Sequence, residues 1–357
     1  MKRILIFCVM LSVFCAGSAV ADDGIAINKN AAHKFAALPE GVGFPEGITA
    51  DPDSGDIYVS TFNFGGNNKL LHFSKHGKLL AQKDFADTPL LGIAYNPQDN
   101  KVYICNPAAL VGGQSQIQRI AAGFDQATPV EDVALIPAIG APPDRLVGNP
   151  DGSQDQIIFG NNAPAPNALS FDSAGNLFVS DSFQGAIFRI DDAQNCPSCP
   201  VTTVKHDGLL ATAGFPPFGA NGMVLSADEA VLYVTNTGDD RILMLDLETG
   251  QLEVFAESIN GADGIVLDKG GLLWVAANQA DQIMVLDENA RVIAKLGEFL
   301  GIQNDGSARG LLFPASLAIS GKWVFVTNLA LPLTANIDDE PEEDVTIFTV
   351  SRLKIPN

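Results

Sequence analysis

The sequence predicts an all-β fold, a six-bladed β-propeller with four-stranded blades around a central channel. Three observations carry that expectation. An apolar strand signal opens six times, at PEGITA, LLGIAY, PNALSF, ANGMVL, ADGIVL and PASLAI. Each opening leads through a turn into a β-branched and aromatic strand: IYVST, KVYIC, LFVSD, LYVTN, LWVAA and WVFVT. No sustained helical periodicity interrupts the series, and short strands bounded by turns at blade-length intervals are the pattern of a propeller.

Residues 1–21 stand apart from that repeat. Lys2 and Arg3 precede an apolar run from Ile4 to Phe14, and Ala19-Val20-Ala21 has the small-x-small form of a cleavage site. This reads as a signal peptide, so residues 22–357 are expected as a single exported propeller domain, periplasmic or secreted. No later stretch approaches the ~18 consecutive apolar residues of a membrane-spanning helix. Formal charge is -21 over the whole chain. Loss of Lys2 and Arg3 makes it still more negative, which argues against nucleic acid and anionic lipid as partners.

Along the domain, the residues following the openings are Gly47, Gly92, Ala168, Gly222, Gly264 and Ser316, spaced 45, 76, 54, 42 and 52 residues apart. The second interval is long. It contains a Pro-, Gly-, Gln- and Asp-rich stretch around 107–163, read as the outer part of blade two with an inserted loop. Turns such as Asp53-Ser54-Gly55 and Asp268-Lys269-Gly270-Gly271 separate the first and second strands. Third strands follow at KLLHFS, AIFRID, RILMLDL and QIMVLDE. Closure of such a ring leaves few strand edges exposed, and a monomer is the default.

Of the three cysteines after the signal, Cys105 lies within a strand and is expected as a buried small hydrophobe. Cys196 and Cys199 could close a loop disulfide, stand as free thiols or metal ligands, or do redox work; an oxidising compartment favours the first. His72 and His76 fall in the third strand and turn of blade one and are expected at the outer surface. His206 precedes blade four. Asn106, Asp181, Asn236, Asn278 and Asn328 follow the second strands and are read as turn formers. The acidic run Asp338–Asp344 is read as a solvated loop in the last blade.

Four openings carry an oxygen-bearing side chain: Glu46, Asn167, Asn221 and Asp263. The first strand of a blade lines the channel, so these four should meet at one mouth of it. Two carboxylates and two amides form a hard ligand set that suits a divalent cation, Ca²⁺ above all. Zinc would recruit His or Cys, and none stands at an opening. Asp263, with a second carboxylate oxygen, is the candidate catalytic base or nucleophile. Phe215 and Phe218, in FPPF just before Asn221, are candidates for an apolar substrate-binding wall.

These phrases give the chain a resemblance to the senescence-marker-protein, gluconolactonase and regucalcin-like family of six-bladed propellers. Glu46-Gly47, Pro166-Asn167, Asn221-Gly222 and Ala262-Asp263-Gly264 carry it, most clearly over residues 44–105 and 164–330. The resemblance implies a divalent-metal site at the four residues and hydrolysis of a lactone or related ester. It also implies an Arg near the third-blade Asn in sugar-lactone members, whereas here the stretch reads Asn161-Asn162-Ala163-Pro164-Ala165-Pro166. A more apolar lactone or ester fits at least as well. The rival readings are a non-catalytic ligand- or protein-binding propeller with a structural metal, and a metal-dependent lyase. A cavity of about 300–1,000 Å³ above the four residues would favour an enzyme, and a plugged mouth would favour binding.

Overall fold

The computed structural model describes residues 26–28, 32–334 and 339–355; the signal segment and Asp338 lie outside these. Six antiparallel sheets follow one another around an axis. Blade one comprises Pro45–Ala50, Ile57–Thr61, Asn68–Phe73 and Leu79–Ala86. The innermost strands of the others are Ile93–Asn96, Pro166–Phe171, Ala220–Leu225, Ala262–Leu267 and Pro314–Ser320. The expected all-β propeller is therefore what the chain forms.

Two strand positions were not foreseen. The outermost strand of blade six is His33–Ala37, which pairs antiparallel with Thr349–Lys354 from the other end of the chain. Phe35 anchors it, edge-on to Phe325 with ring centroids 4.7 Å apart. A further strand, Ala26–Asn28, adds parallel to the outer edge of blade five. Between blades two and three, Gln116–Ala121 and Glu131–Leu135 complete blade two, and Arg145–Gly148 pairs with Gln154–Ile157 as a separate hairpin.

The core lies between blades. Six apolar clusters each join the facing sheets of one neighbouring pair, for example Tyr103, Cys105 and Ile117 of blade two against Val179 and Phe188 of blade three. The second strands explain this: Ile57–Thr61, Leu177–Asp181 and Leu273–Ala277 are buried at every residue, because both faces of a blade are covered. Such strands read as continuous apolar runs rather than as alternation. His72 departs from expectation for the same reason. It is buried between blades one and two, stacked 4.6 Å from Tyr58 and bonded to Asp56 at 3.0 Å. His76 is exposed.

Around the axis, neighbouring first strands touch backbone to backbone. A side chain at Gly222 would stand 2.5 Å from the Asp263 carbonyl oxygen and 2.8 Å from the Gly264 α-carbon. This is the physical reason for the small residue after each opening. Hydroxyls in the second strands tighten the ring further. Ser60 donates to the Leu91 carbonyl, Ser180 to Asn221, Thr235 to Asp263 and Thr327 to Glu46, at 2.5–2.7 Å. Each bond runs from one blade to the opening residue of the next, so it fixes where that residue's side chain starts.

Cys196 and Cys199 are joined in a disulfide within the loop between the third and fourth strands of blade three, and Cys199 donates its N–H to Val133 of blade two. Cys105 is fully buried. Pro341–Asp344 forms a short 3-10 turn with a capping box at Glu340 and Glu343.

Candidate functional site

In blades one, three, four, five and six the pairing of first and second strands slips just after the opening residue, between Pro45 and Ile48, Pro166 and Leu169, Ala220 and Met223, Ala262 and Ile265, and Pro314 and Leu317. A bulge at that point frees one side chain from the alternation of the strand and re-aims it. Glu46, Asn167, Asn221 and Asp263 occupy four of these bulges. All four are buried and line one cavity at a channel mouth. The structure thus brings the four together.

The cavity has a polar floor and an apolar wall. Beyond the four residues the floor adds Thr237 and Asn278, and the wall consists of Phe62, Leu91, Pro216, Phe218, Phe313, Leu329 and Leu331. Its volume is about 30 Å³, room for an ion or a water and little more. Of the proposed wall residues, Phe218 lines the cavity, whereas Phe215 stands exposed beside it. His206 lies on the outermost strand of blade three and does not line the cavity.

Three of the four opening residues are held by the residue immediately after the second strand of their own blade. Asn167 donates Nδ2 to Ser182 Oγ at 2.8 Å, and Asn221 donates Nδ2 to Thr237 Oγ1 at 2.9 Å. Asp263 Oδ2 accepts from Asn278 Nδ2 at 3.0 Å. Ser182 and Thr237 in turn donate to the Ala220 and Ala262 carbonyls. With the amide nitrogens so engaged, Asn167 and Asn221 keep their Oδ1 atoms as the donor oxygens of the site. Glu46 has no such holder, because the equivalent residue of blade one is Phe62.

Asn278 corrects the reading of the residues after the second strands. Strand register places Asp181, Asn236 and Asn328 opposite the first residue of their blades, and in blade five that place belongs to Ala277. Asn278 is one residue further on, equivalent to Ser182 and Thr237, and a one-residue offset in a strand reverses the face a side chain takes. Asp181 accepts from the Ala165, Phe183 and Gln184 N–H groups, and Asn236 donates to the Leu209 and Ala211 carbonyls. Those two are local braces. Asn278 is a brace for Asp263, and its Oδ1 lies against Gly261, where any side chain would collide with it.

Electrostatically the floor lacks a positive charge. Burial and the nearby Asp263 charge push Glu46 well above the usual carboxylate range. Burial pushes Asp263 up to about 7, against the lowering pull of the Asn278 and Asn221 amides. Glu46 Oε2 and Asp263 Oδ1 are buried without a hydrogen-bond partner. Among the described residues no Lys, Arg or His lines the cavity. Two buried acceptors of like charge, both unpartnered, with amide oxygens beside them, fit a divalent cation. Among the described residues no group of three or more His, Cys, Asp or Glu side chains is placed to hold a metal, so a cation here needs the amide oxygens.

Fold and site together define a six-bladed propeller with a hard-donor floor at one mouth. Residues 164–297 match the family model described as SMP-30/Gluconolactonase/LRE-like region, and the match spans the blades that supply Asn167, Asn221 and Asp263. The family resemblance read from the sequence is thus found independently over those blades. No curated protein matches the sequence. Among solved structures, a calcium-binding protein, regucalcin, from Agrobacterium tumefaciens strain C58 superimposes with a TM-score of 0.59 and 17% identity, covering 90% of this chain and 95% of that one. A gluconolactonase from Xanthomonas campestris gives 0.54 and 16%, covering 90% and 88%. A catalytically inactive virginiamycin B lyase from Staphylococcus aureus gives 0.53 and 14%, covering 91% and 99%. At such identities the likeness is one of fold.

Proposed function

We propose that the protein is an exported hydrolase of lactones or related esters, dependent on a divalent cation, Ca²⁺ in the first instance, held at the channel mouth. The observation that carries this is the pair of buried carboxylates, Glu46 and Asp263, each with an unpartnered oxygen in one apolar-walled cavity. The family match over blades three to five supports it. Glu46, Asp263, Asn167 and Asn221 would hold the cation, which when bound supplies polarisation of a carbonyl oxygen and charge balance for the floor. Asp263 is the base. Its Oδ1 would go to the cation, and its Oδ2, oriented by Asn278, would take the proton of the attacking water and return it to the leaving alkoxide. The apolar wall excludes bulk water from that oxygen.

A second reading has an observation in its favour. The cavity, at about 30 Å³, is far below the few hundred Å³ of an ordinary small-molecule site. It suits a propeller whose cation is structural and whose rim only binds. Metal-dependent turnover across a panel of lactones, aryl esters and phosphotriesters, with Asp263→Asn as control, separates the two. Turnover lost on chelation and in the variant supports the hydrolase. No turnover of any member leaves the structural cation. Calorimetric titration with Ca²⁺ tests the site itself: binding unchanged by Glu46→Gln would remove the cation from this floor.

A further inference from the structure

Blades three, four and five supply the amides, the hydroxyl and one carboxylate of the cavity, and blade one supplies the other carboxylate, Glu46. Its apolar wall comes from Phe62, Leu91, Leu329 and Leu331 of blades one, two and six and from Pro216, Phe218 and Phe313 in the segments leading into blades four and six. That wall continues outward. Buried Phe62 meets Phe218 at 6.1 Å and Phe64 at 4.9 Å between ring centroids, and Phe218 meets Phe183 at 5.4 Å. Phe64 is 60% exposed and Phe215, next to Pro216 of the cavity wall, is 59% exposed. Among the described residues these are the exposed aromatic side chains of hydrophobic type, and both sit at this mouth. An exposed aromatic face leading to a buried polar floor marks a binding surface.

The wall lacks what a polyhydroxylated ligand needs. Phe62, Leu91, Pro216, Phe218, Phe313, Leu329 and Leu331 present no polar side-chain atom, and on the proposed reading the unpartnered carboxylate oxygens of the floor go to the cation. Sugar hydroxyls laid against Phe62, Phe218 and Leu331 would lose water and gain no partner. We infer that the substrate is a lactone or ester carrying a hydrocarbon substituent, alkyl or aryl, which lies along the Phe64–Phe62–Phe218 track while its reacting carbonyl stops at the opening of the small cavity. This rests on the hydrolase reading for the carbonyl and on the aromatic track for the substituent.

The test is a homologous series of alkyl-substituted γ-lactones, assayed for kcat/KM beside a polyhydroxylated six-membered lactone. Burying each added methylene should raise kcat/KM about three- to fourfold until the track is filled. Phe64→Ser, at an exposed position, should flatten that dependence, and Phe218→Ala should do the same more strongly. Turnover that is independent of chain length, or that favours the polyhydroxylated lactone, overturns the inference while leaving the hydrolase standing. Should no lactone turn over, calorimetry with the matching alkyl lactams separates the two claims. Affinity rising with chain length and lost in Phe64→Ser upholds the track without the reaction. Affinity indifferent to chain length overturns it.

Discussion

Stripped of divalent cations, the protein should lose stability as pH rises from about 5 to about 8, and Asp263→Asn should remove much of that loss. Burial holds the Asp263 carboxyl up to about 7, against 3.8 for a free Asp side chain. Between those values the folded state binds more protons than the unfolded one, so stability falls with rising pH. The contribution is fully present below the unfolded value and is lost as pH climbs through the folded one. At about 1.4 kcal/mol per pKa unit, Asp263 alone accounts for roughly 2 to 3 kcal/mol over that interval. Glu46 acts in the same direction. So does Asp181, which burial pushes up to about 6, and the informative quantity is therefore the difference between wild type and variant. Urea titrations in chelator, followed by circular dichroism at the two pH values, measure it. Saturating Ca²⁺ should flatten the wild-type dependence, since a cation neutralises the pair that burial penalises. Wild-type stability that rises toward the alkaline end, or a wild-type-to-variant difference equal at both pH values, would refute the reasoning.

Three further outcomes follow from named contacts. Asn278→Ala should weaken Ca²⁺ binding about 10- to 100-fold in calorimetry, as loss of a ligand's support does; Asn236→Ala should instead lower stability by about 2 kcal/mol and spare binding, because its amide braces two backbone carbonyls. Gly222→Ala should cost about 2 kcal/mol or more in thermal or urea unfolding, since its methyl group would overlap the Asp263 carbonyl of the next blade. Phe35→Ala should cost about 3 kcal/mol by loosening the outermost strand of blade six from Phe325.

The ring and the placing of its four opening residues were legible because both depend on local, repeated signals. Strand, turn and second strand recur in order, and a side chain repeated at an equivalent place must arrive at an equivalent point. What escaped was set by register or by distant partners. Asn278 looks like Asn236 in the sequence, and only the pairing of Ala262 with Ala277 shows it to be one place further on. The Ser and Thr residues that clasp the next blade, Ser60, Ser180, Thr235 and Thr327, do stand at a common place in the second strands, a signal that could have been read. His72 is buried by blade two, of which its own strand carries no sign. The strand HKFAA is short and weakly patterned, and it becomes a strand because Thr349–Lys354 offers it an open edge.

That last pairing has a consequence for how the protein comes into being. Blade six is stitched from the two ends of the chain, and at the same seam Thr327 of blade six donates to the carbonyl of Glu46 in blade one. Glu46 therefore joins Asp263 in the floor only when a segment of 281 residues has come full circle, a closure with an entropic toll that local strand pairing does not carry. A chain shortened at either end would hold most of its blades and yet have no complete floor. Cation binding would then serve as an assembly gauge, reading in a single titration whether the circle has shut.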